Sequence, residues 1–306
     1  MNFTLNQLRI FVSIARHNSI TKAAEELHLT QPAVSIQLKK LQEQFEFPLT
    51  EIINKRLFLT DFGKEIAKAA EGILTEAENI TYKSHDYKKE LYGHLKISIV
   101  STGKYIMPYF LSGFLKKHPS VTVTMDVTNK SRVIQNLENN EVDFSLVSIL
   151  PGNLRLNKVE LLENKLLLVG NKETLRQVKE PATLFKEMPL LLREQGSGTR
   201  QTTEKFLARK KLTIHKKMEL TSNEAVKQAV LAGMGYSIMP LIGIKNELEQ
   251  GLLQVIPLRG LPIKTTWSLI WLKEKKISPV ADAYLEYLRS EKEQICNIHF
   301  AQSLTG

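Results

Sequence analysis

Apolar positions in residues 5–16 (LNQLRIFVSIAR) fall at Leu5, Leu8, Phe11, Val12 and Ala15, the three-and-four spacing of an amphipathic helix. Asn18-Ser19 breaks that stripe, and Ile20-Thr21 opens a shorter helix carrying Ala23, Ala24 and Leu27, ended by His28-Leu29. Thr30 is then an N-cap, and Pro32 stands in a first turn where its missing N–H costs nothing. Ala33, Val34, Leu38 and Leu41 form the inner stripe of a third helix reaching about Phe45. Two short helices joined by a tight turn predict a helix-turn-helix. Residues 49–60 (LTEIINKRLFLT) are two aliphatic runs around Asn54-Lys55, which predicts a small hairpin or wing with its charge at the turn.

From Asp61 to Leu91 there is no proline, and Phe62, Ile66, Ala69, Ile73, Ala77, Ile80, Tyr87 and Leu91 recur at helical spacing. A helix of that span, roughly 45 Å long, cannot bury its stripe against so small a domain, so a partner helix is implied. After Gly93 strands and helices alternate: strands Leu95–Val100, Val121–Val127 and Asp143–Ser148, with helices Met107–Lys117 and Ser131–Asn139 between them. The pattern repeats weakly through Lys165–Gly170, a helix near Pro181–Glu187, Leu190–Arg193, a helix Thr199–Lys210, a strand ending near Leu220, a helix Glu224–Leu231 and Tyr236–Met239. A last strand, Thr266–Leu272, and a helix, Val280–Glu291, can return to the first lobe. Such alternation predicts two largely parallel α/β lobes with a cleft beyond the C-terminal strand ends. The expected domains are 1–60, a linker helix 61–92, and 93–306, the last divided into lobes of about 93–162 with 266–306 and about 163–265.

The 306 residues suit two or three folded units. The lone Cys296 excludes an intramolecular disulfide and fits a reducing, cytoplasmic setting. No apolar run approaches the length of a membrane span, and the N-terminus does not read as a cleaved signal, so no membrane role is expected. The formal charge of +10 invites a nucleic-acid reading, but residues 1–92 hold 12 Lys/Arg against 12 Asp/Glu, while 93–306 hold 30 against 20. DNA binding by the N-terminal part therefore has to come from local placement of cations. The seven histidines show no His-x-x-x-His pair, and neither a Gly-x-Ser-x-Gly elbow nor a P-loop occurs, so no catalytic residue, metal or cofactor is expected.

In the larger part, Ser101-Thr102 follow a strand and precede a helix, and Gly196-Ser197-Gly198-Thr199 sit likewise in the second lobe. The first placement favours an anion, through hydroxyls and N–H groups; in the second, the glycines either let a backbone come close to a ligand or simply make the turn before the helix. Thr128-Asn129 and Ser222-Asn223 are further candidates. Arg200 can reach the cleft or lie on its own helix surface.

Residues 5–47 resemble the N-terminal segment of the LysR-type transcriptional regulators of bacteria at Phe11, Ser19, Ala23-Ala24, Leu27, Thr30-Gln31-Pro32-Ala33-Val34-Ser35 and Leu41. Leu59-Thr60 with Gly63 resembles the family's wing exit. Pro108, Phe114, Pro119, Glu141-Val142-Asp143 and Ala232-Gly233-Met234-Gly235 before Pro240 resemble its effector half. Residues 193–200 (REQGSGTR) are similar to a segment of regulators of carbon fixation and of sulfur or nitrogen assimilation. The resemblance implies a winged helix-turn-helix, a dimerising linker helix and an effector domain of two Rossmann-like lobes similar to periplasmic binding proteins. It implies a ligand-responsive regulator that binds an interrupted palindrome in double-stranded DNA as a homodimer or homotetramer, with RNA polymerase a further partner, and senses a small anionic metabolite. The alternative is a two-lobed small-molecule-binding protein without a DNA role.

On this resemblance, Thr30, Gln31, Pro32, Ser35, Ile36, Lys39, Asn54, Lys55 and Arg56 face DNA, with Lys40 a further phosphate contact. Ser101, Thr102, Thr128, Asn129, Ser197, Gly198, Thr199, Ser222 and Asn223 face the effector. Many relatives have arginine where this chain has Ile36, and often phenylalanine and arginine where it has Thr50 and Ile52. Ile36 is expected either to touch a thymine methyl or to be buried with Leu41 and Val12.

Overall fold

A computed structural model of the chain describes residues 2–54, 56–86, 90–173 and 185–300. The chain forms two compact units, Met1–Leu91 and Tyr92–Gly306. In the first, α1 (Leu5–His17), α2 (Ile20–Glu26) and α3 (Gln31–Gln42) precede a hairpin of β1 (Thr50–Ile53) and β2 (Arg56–Leu59), and α4 (Asp61–Asp86) follows. Each short helix starts on a side-chain cap: Thr4, Ser19 and Thr30 accept from the backbone N–H of Gln7, Lys22 and Ala33. The third helix ends at Gln42, short of the expected Phe45, because the Gln42 amide turns onto the following backbone. It accepts from Leu49 N at 2.5 Å and donates to the Phe47 carbonyl at 3.1 Å.

Phe11, Ile14, Ala23, Val34, Leu41 and Leu49 are the centre of this unit's core. A carboxylate ties α1 to α2: Glu26 accepts from Ser13 Oγ and from Arg16 Nη1 at 2.8 Å, and His17 Nε2 lies 3.1 Å away. Burial pushes the Glu26 carboxyl up, yet the Ser13 hydrogen bond and the charges of Arg16 and His17 together hold it below its ordinary value.

The expected single stripe on the long helix is in fact two. Phe62, Ile66, Ala67, Ala70 and Leu74 pack on the unit's own core. Ala69, Ile73 and Ile80 point away from it, with Ile80 71% exposed. Tyr87 lies outside the described residues.

The second unit carries one nine-stranded sheet of order β4-β3-β5-β11-β6-β9-β7-β8, with β10 also paired to β6. Its first lobe holds β3 (Gly93–Val100), β4 (Val121–Thr128) and β5 (Phe144–Val147) in parallel, with α5 (Met107–Lys117) and α6 (Lys130–Glu138) between them. The second lobe holds β7 (Leu190–Arg193), α7 (Gly198–Lys210), β8 (Lys217–Leu220), α8 (Asn223–Leu231), β9 (Tyr236–Pro240), α9 (Lys245–Glu249) and β10 (Leu253–Val255). Here β7 is parallel to β8 and β9.

Two long strands join the lobes: β6 (Leu156–Asn171) and β11 (Ile263–Leu272) run antiparallel over ten residue pairs, with a register shift between Trp267 and Ser268. The sheet is therefore mixed rather than largely parallel. The first half of β6 escaped sequence reading because Lys158, Glu160 and Glu163 break its apolar pattern on a face that stays in solvent. The C-terminal helix α10 (Pro279–His299) extends past the expected Glu291 and packs Tyr284 against Phe114 and Phe144. Of the expected helix near Pro181–Glu187, residues 181–184 lie outside the described residues, and Phe185–Glu187 is helical.

β7 is buried on both faces. Leu190 and Leu192 join one core with Phe206, Tyr236 and Ile238, while Leu191 joins another with Val226, Val230 and Met239. Strand alternation then puts Arg193 on the Leu191 side, under α8.

A Cβ built on Gly63 would stand 1.9 Å from the Leu49 carbonyl oxygen, so α4 can start beside the wing only with glycine there. Gly63→Ala is expected to destabilise the N-terminal unit by about 1–3 kcal/mol through this overlap, read as a lower melting transition of the full chain. An unchanged transition would mean that the wing and α4 are not packed as described.

Candidate functional site

On the N-terminal unit, Val34, Leu38 and Leu41 turn α3 inward and leave Gln31, Pro32, Ile36, Lys39 and Lys40 exposed, with Ser35 half-buried. Thr30 caps the helix, its Oγ1 3.4 Å from Ala33 N. Ile36 is 53% exposed, which removes the expectation that it packs with Val12 and Leu41. Asn54 takes the left-handed conformation (φ 50°) that a two-residue hairpin turn requires, and Arg56 stands exposed beside it. Lys55 lies outside the described residues.

On the second unit, a cavity opens between the lobes. It is narrow and open to solvent, and is lined by Ser101, Thr102, Asn129, Lys130, Ser197 and Thr199, with Val100, Ser148, Ile149, Arg193 and Gly198. Two helices begin at its wall: Asn129 caps α6, accepting from Arg132 N at 3.0 Å, and Ser197 caps α7. Each helix start carries partial positive charge and N–H groups without helical partners.

The expected candidates divide. Ser101, Thr102, Asn129, Ser197, Gly198 and Thr199 come together at this cavity. Thr128 and Ser222 are not among its lining residues; Ser222 is exposed and its hydroxyl caps α8, accepting from Ala225 N at 3.0 Å. Asn223 is buried and reaches across the lobes, Nδ2 donating to Ser101 Oγ at 2.7 Å. It also lines a second cavity behind Arg193. Arg200 lies on its own lobe: it donates to Glu204 at 2.8 Å, to the Arg193 carbonyl at 3.0 Å and to Glu219.

Two cations at the cavity were missed from the sequence. Arg193 is 5% exposed, donates from Nε and Nη2 to the Glu194 carboxylate at 2.7 and 2.9 Å, and from Nη1 to Ser101 Oγ at 2.9 Å. The available signal was a charge ending an otherwise aliphatic strand directly before the glycine loop. Lys130, the first residue of α6, donates to Gln201 Oε1 on the other lobe at 2.9 Å. Burial, then the charge of Lys205, pushes the Lys130 amine below its ordinary value.

The lobes also meet through backbone: Ser131 N donates to the Gly196 carbonyl at 3.2 Å. Gly196 has φ +86°, a conformation that calls for glycine, and a Cβ there would stand 2.7 Å from Ser131 Oγ, which would have to turn away.

Against known proteins, residues 5–64 match the bacterial regulatory helix-turn-helix model of the lysR family, and residues 88–293 match the LysR substrate binding domain. The HTH-type transcriptional activator CmpR of Synechocystis sp. is 35% identical over 296 residues, 96% of this chain and 97% of the relative. The RuBisCO operon transcriptional regulator of Allochromatium vinosum is 35% identical over 293 residues, 95% of this chain and 97% of its own. The chain therefore belongs to the LysR family of ligand-responsive bacterial transcription regulators. Its relatives agree with the carbon-fixation part of the resemblance at residues 193–200. Among solved structures, the CcmR regulatory domain of Synechocystis PCC6803 in complex with 2-PG is 29% identical with a TM-score of 0.58, covering 66% of this chain and 98% of that one. The match over 5–64 sets aside the alternative of a binding protein without a DNA role. Among the described residues no helix is long and apolar enough to cross a membrane.

Ser101 Oγ accepts from two buried donors of the other lobe, so Ser101→Ala strands both. Its expected cost is about 2 kcal/mol of stability in the C-terminal unit, measured by urea unfolding of the full chain. No loss would show that the lobes do not meet through this hydroxyl.

Proposed function

We propose that the interlobe cavity is the effector site and that it takes a small anion bearing a phosphate or carboxylate. The observation that carries this is the convergence of Arg193, Lys130 and the capped starts of α6 and α7 on one polar cavity. The arrangement can surround an oxyanion with N–H and hydroxyl donors, with Lys130 supplying the positive charge and Arg193, whose charge is balanced by Glu194, supplying hydrogen bonds. The 2-PG in the CcmR regulatory domain structure is the natural first probe.

On the DNA side, we propose that α3 enters the major groove. Gln31 is suited to adenine N6/N7, and Ser35, Lys39, Lys40 and Arg56 to phosphates. The outward Ala69, Ile73 and Ile80 of α4 support a dimer through that helix. A dimer reads two half-sites about one helical turn or a multiple apart, so footprinting should protect an interrupted palindrome. Protection of a single asymmetric half-site would contradict it.

Calorimetric titration of the full chain with 2-PG tests the cleft. Thr199→Ala is expected to weaken binding by about 1–2 kcal/mol and Lys130→Gln by about 1–3 kcal/mol. Because the Lys130 amine is held below its ordinary value, its charge is lost on raising the pH sooner than that of a free lysine. Affinity should therefore fall as the pH rises towards the ordinary lysine range, and Lys130→Gln should flatten that fall. Unchanged affinity in both variants would move the site elsewhere.

A further inference from the structure

The outward face of α3 holds one large aliphatic side chain among polar ones. Ile36 stands four residues after Pro32 and three before Lys39, all three exposed on one side of the helix. Half of its surface lies in solvent, although the same helix buries Val34, Leu38 and Leu41 fully or nearly so. The helix does not need Ile36 for its core, so its fate is decided by what α3 meets.

Given that α3 enters the major groove, we infer that Ile36 reads a thymine through its C5-methyl group, making this position the hydrophobic determinant of each half-site. A sec-butyl side chain has neither donor nor acceptor. Pressed against guanine N7 and O6, cytosine N4 or adenine N6 and N7, it would strip hydrogen-bonding water and return nothing. The thymine methyl is the apolar feature the four base pairs present in that groove. Contact there converts two exposed apolar surfaces into one buried one. Lys39 and Lys40, one turn further on, hold the helix by phosphate contacts that carry no sequence information themselves. The specificity is thus split: hydrogen bonding from Gln31 at the helix start, and methyl contact from Ile36 a turn later.

The test uses the full-length chain. Duplexes enriched by it from a random pool are resynthesised with each thymine replaced singly by uracil, which removes the methyl and leaves every hydrogen-bonding group in place. Binding is measured by fluorescence anisotropy at fixed salt for the unaltered chain, Ile36→Ala and Ile36→Val, each checked for an unchanged melting transition.

At one thymine per half-site, removal of the methyl should weaken the unaltered chain about fourfold, the equivalent of one buried methyl. Ile36→Ala should bind thymine and uracil duplexes equally at that position, and Ile36→Val should fall between. If every thymine-to-uracil step costs the unaltered chain and Ile36→Ala the same factor, the inference is overturned. A pool from which no sequence is enriched would overturn the placement of α3 in the groove itself, and the inference with it.

Discussion

A guanidinium stays charged at any ordinary pH, so a buried arginine has to be surrounded by partners or it unfolds what holds it. Arg193 is that constraint in the C-terminal unit. It ends an all-buried strand, and its charge is answered by Glu194 on its own lobe and Ser101 on the other. Asn223 from α8 meets the same hydroxyl. The positions of β7, of the turn after β3 and of the start of α8 are thus fixed together where Arg193 and Asn223 share the Ser101 hydroxyl. The cavity beside it is polar because these groups must be.

The fold makes this arrangement adjustable. β6 and β11 are the covalent link between lobes, and across the cleft the contacts are hydrogen bonds such as Lys130 to Gln201 and Ser131 to Gly196. Hydrogen bonds of this kind contribute about 1 kcal/mol each net, small enough for a bound anion to redistribute them. In the N-terminal unit the economy differs. Net charge over residues 1–92 is zero, so on the proposed docking of α3 affinity for DNA would rest on where Lys39, Lys40 and Arg56 stand rather than on a general field.

Much of this was legible in the sequence wherever one face of an element is buried. The stripes of α1 and α3, the Thr30 cap and the Asn54 turn follow from periodicity, capping and turn chemistry, and strand Leu190–Arg193, buried on both faces, from its unbroken aliphatic run. The first half of β6 did not, because its solvent face is charged, and neither did the division of α4 into two apolar lines, which depends on what packs against it. At the cleft, hydroxyls at strand ends were found by position in the chain, whereas Ser222, which caps its helix as Ser197 does, stands outside the cavity lining. Arg193 and Lys130 were missed since a charge in sequence says nothing of its burial. Ile36 stood open between two environments until tertiary packing left it outside.

On the proposed function, an anion is held between the lobes by Arg193, Lys130 and the start of α7. A crystal structure of the full chain grown with 2-PG tests it most directly. The phosphate is expected in the cavity, within hydrogen-bond distance of Thr199 and of the Arg193 or Lys130 side chain. Ligand bound elsewhere on the chain, with this cavity holding only water, would contradict it.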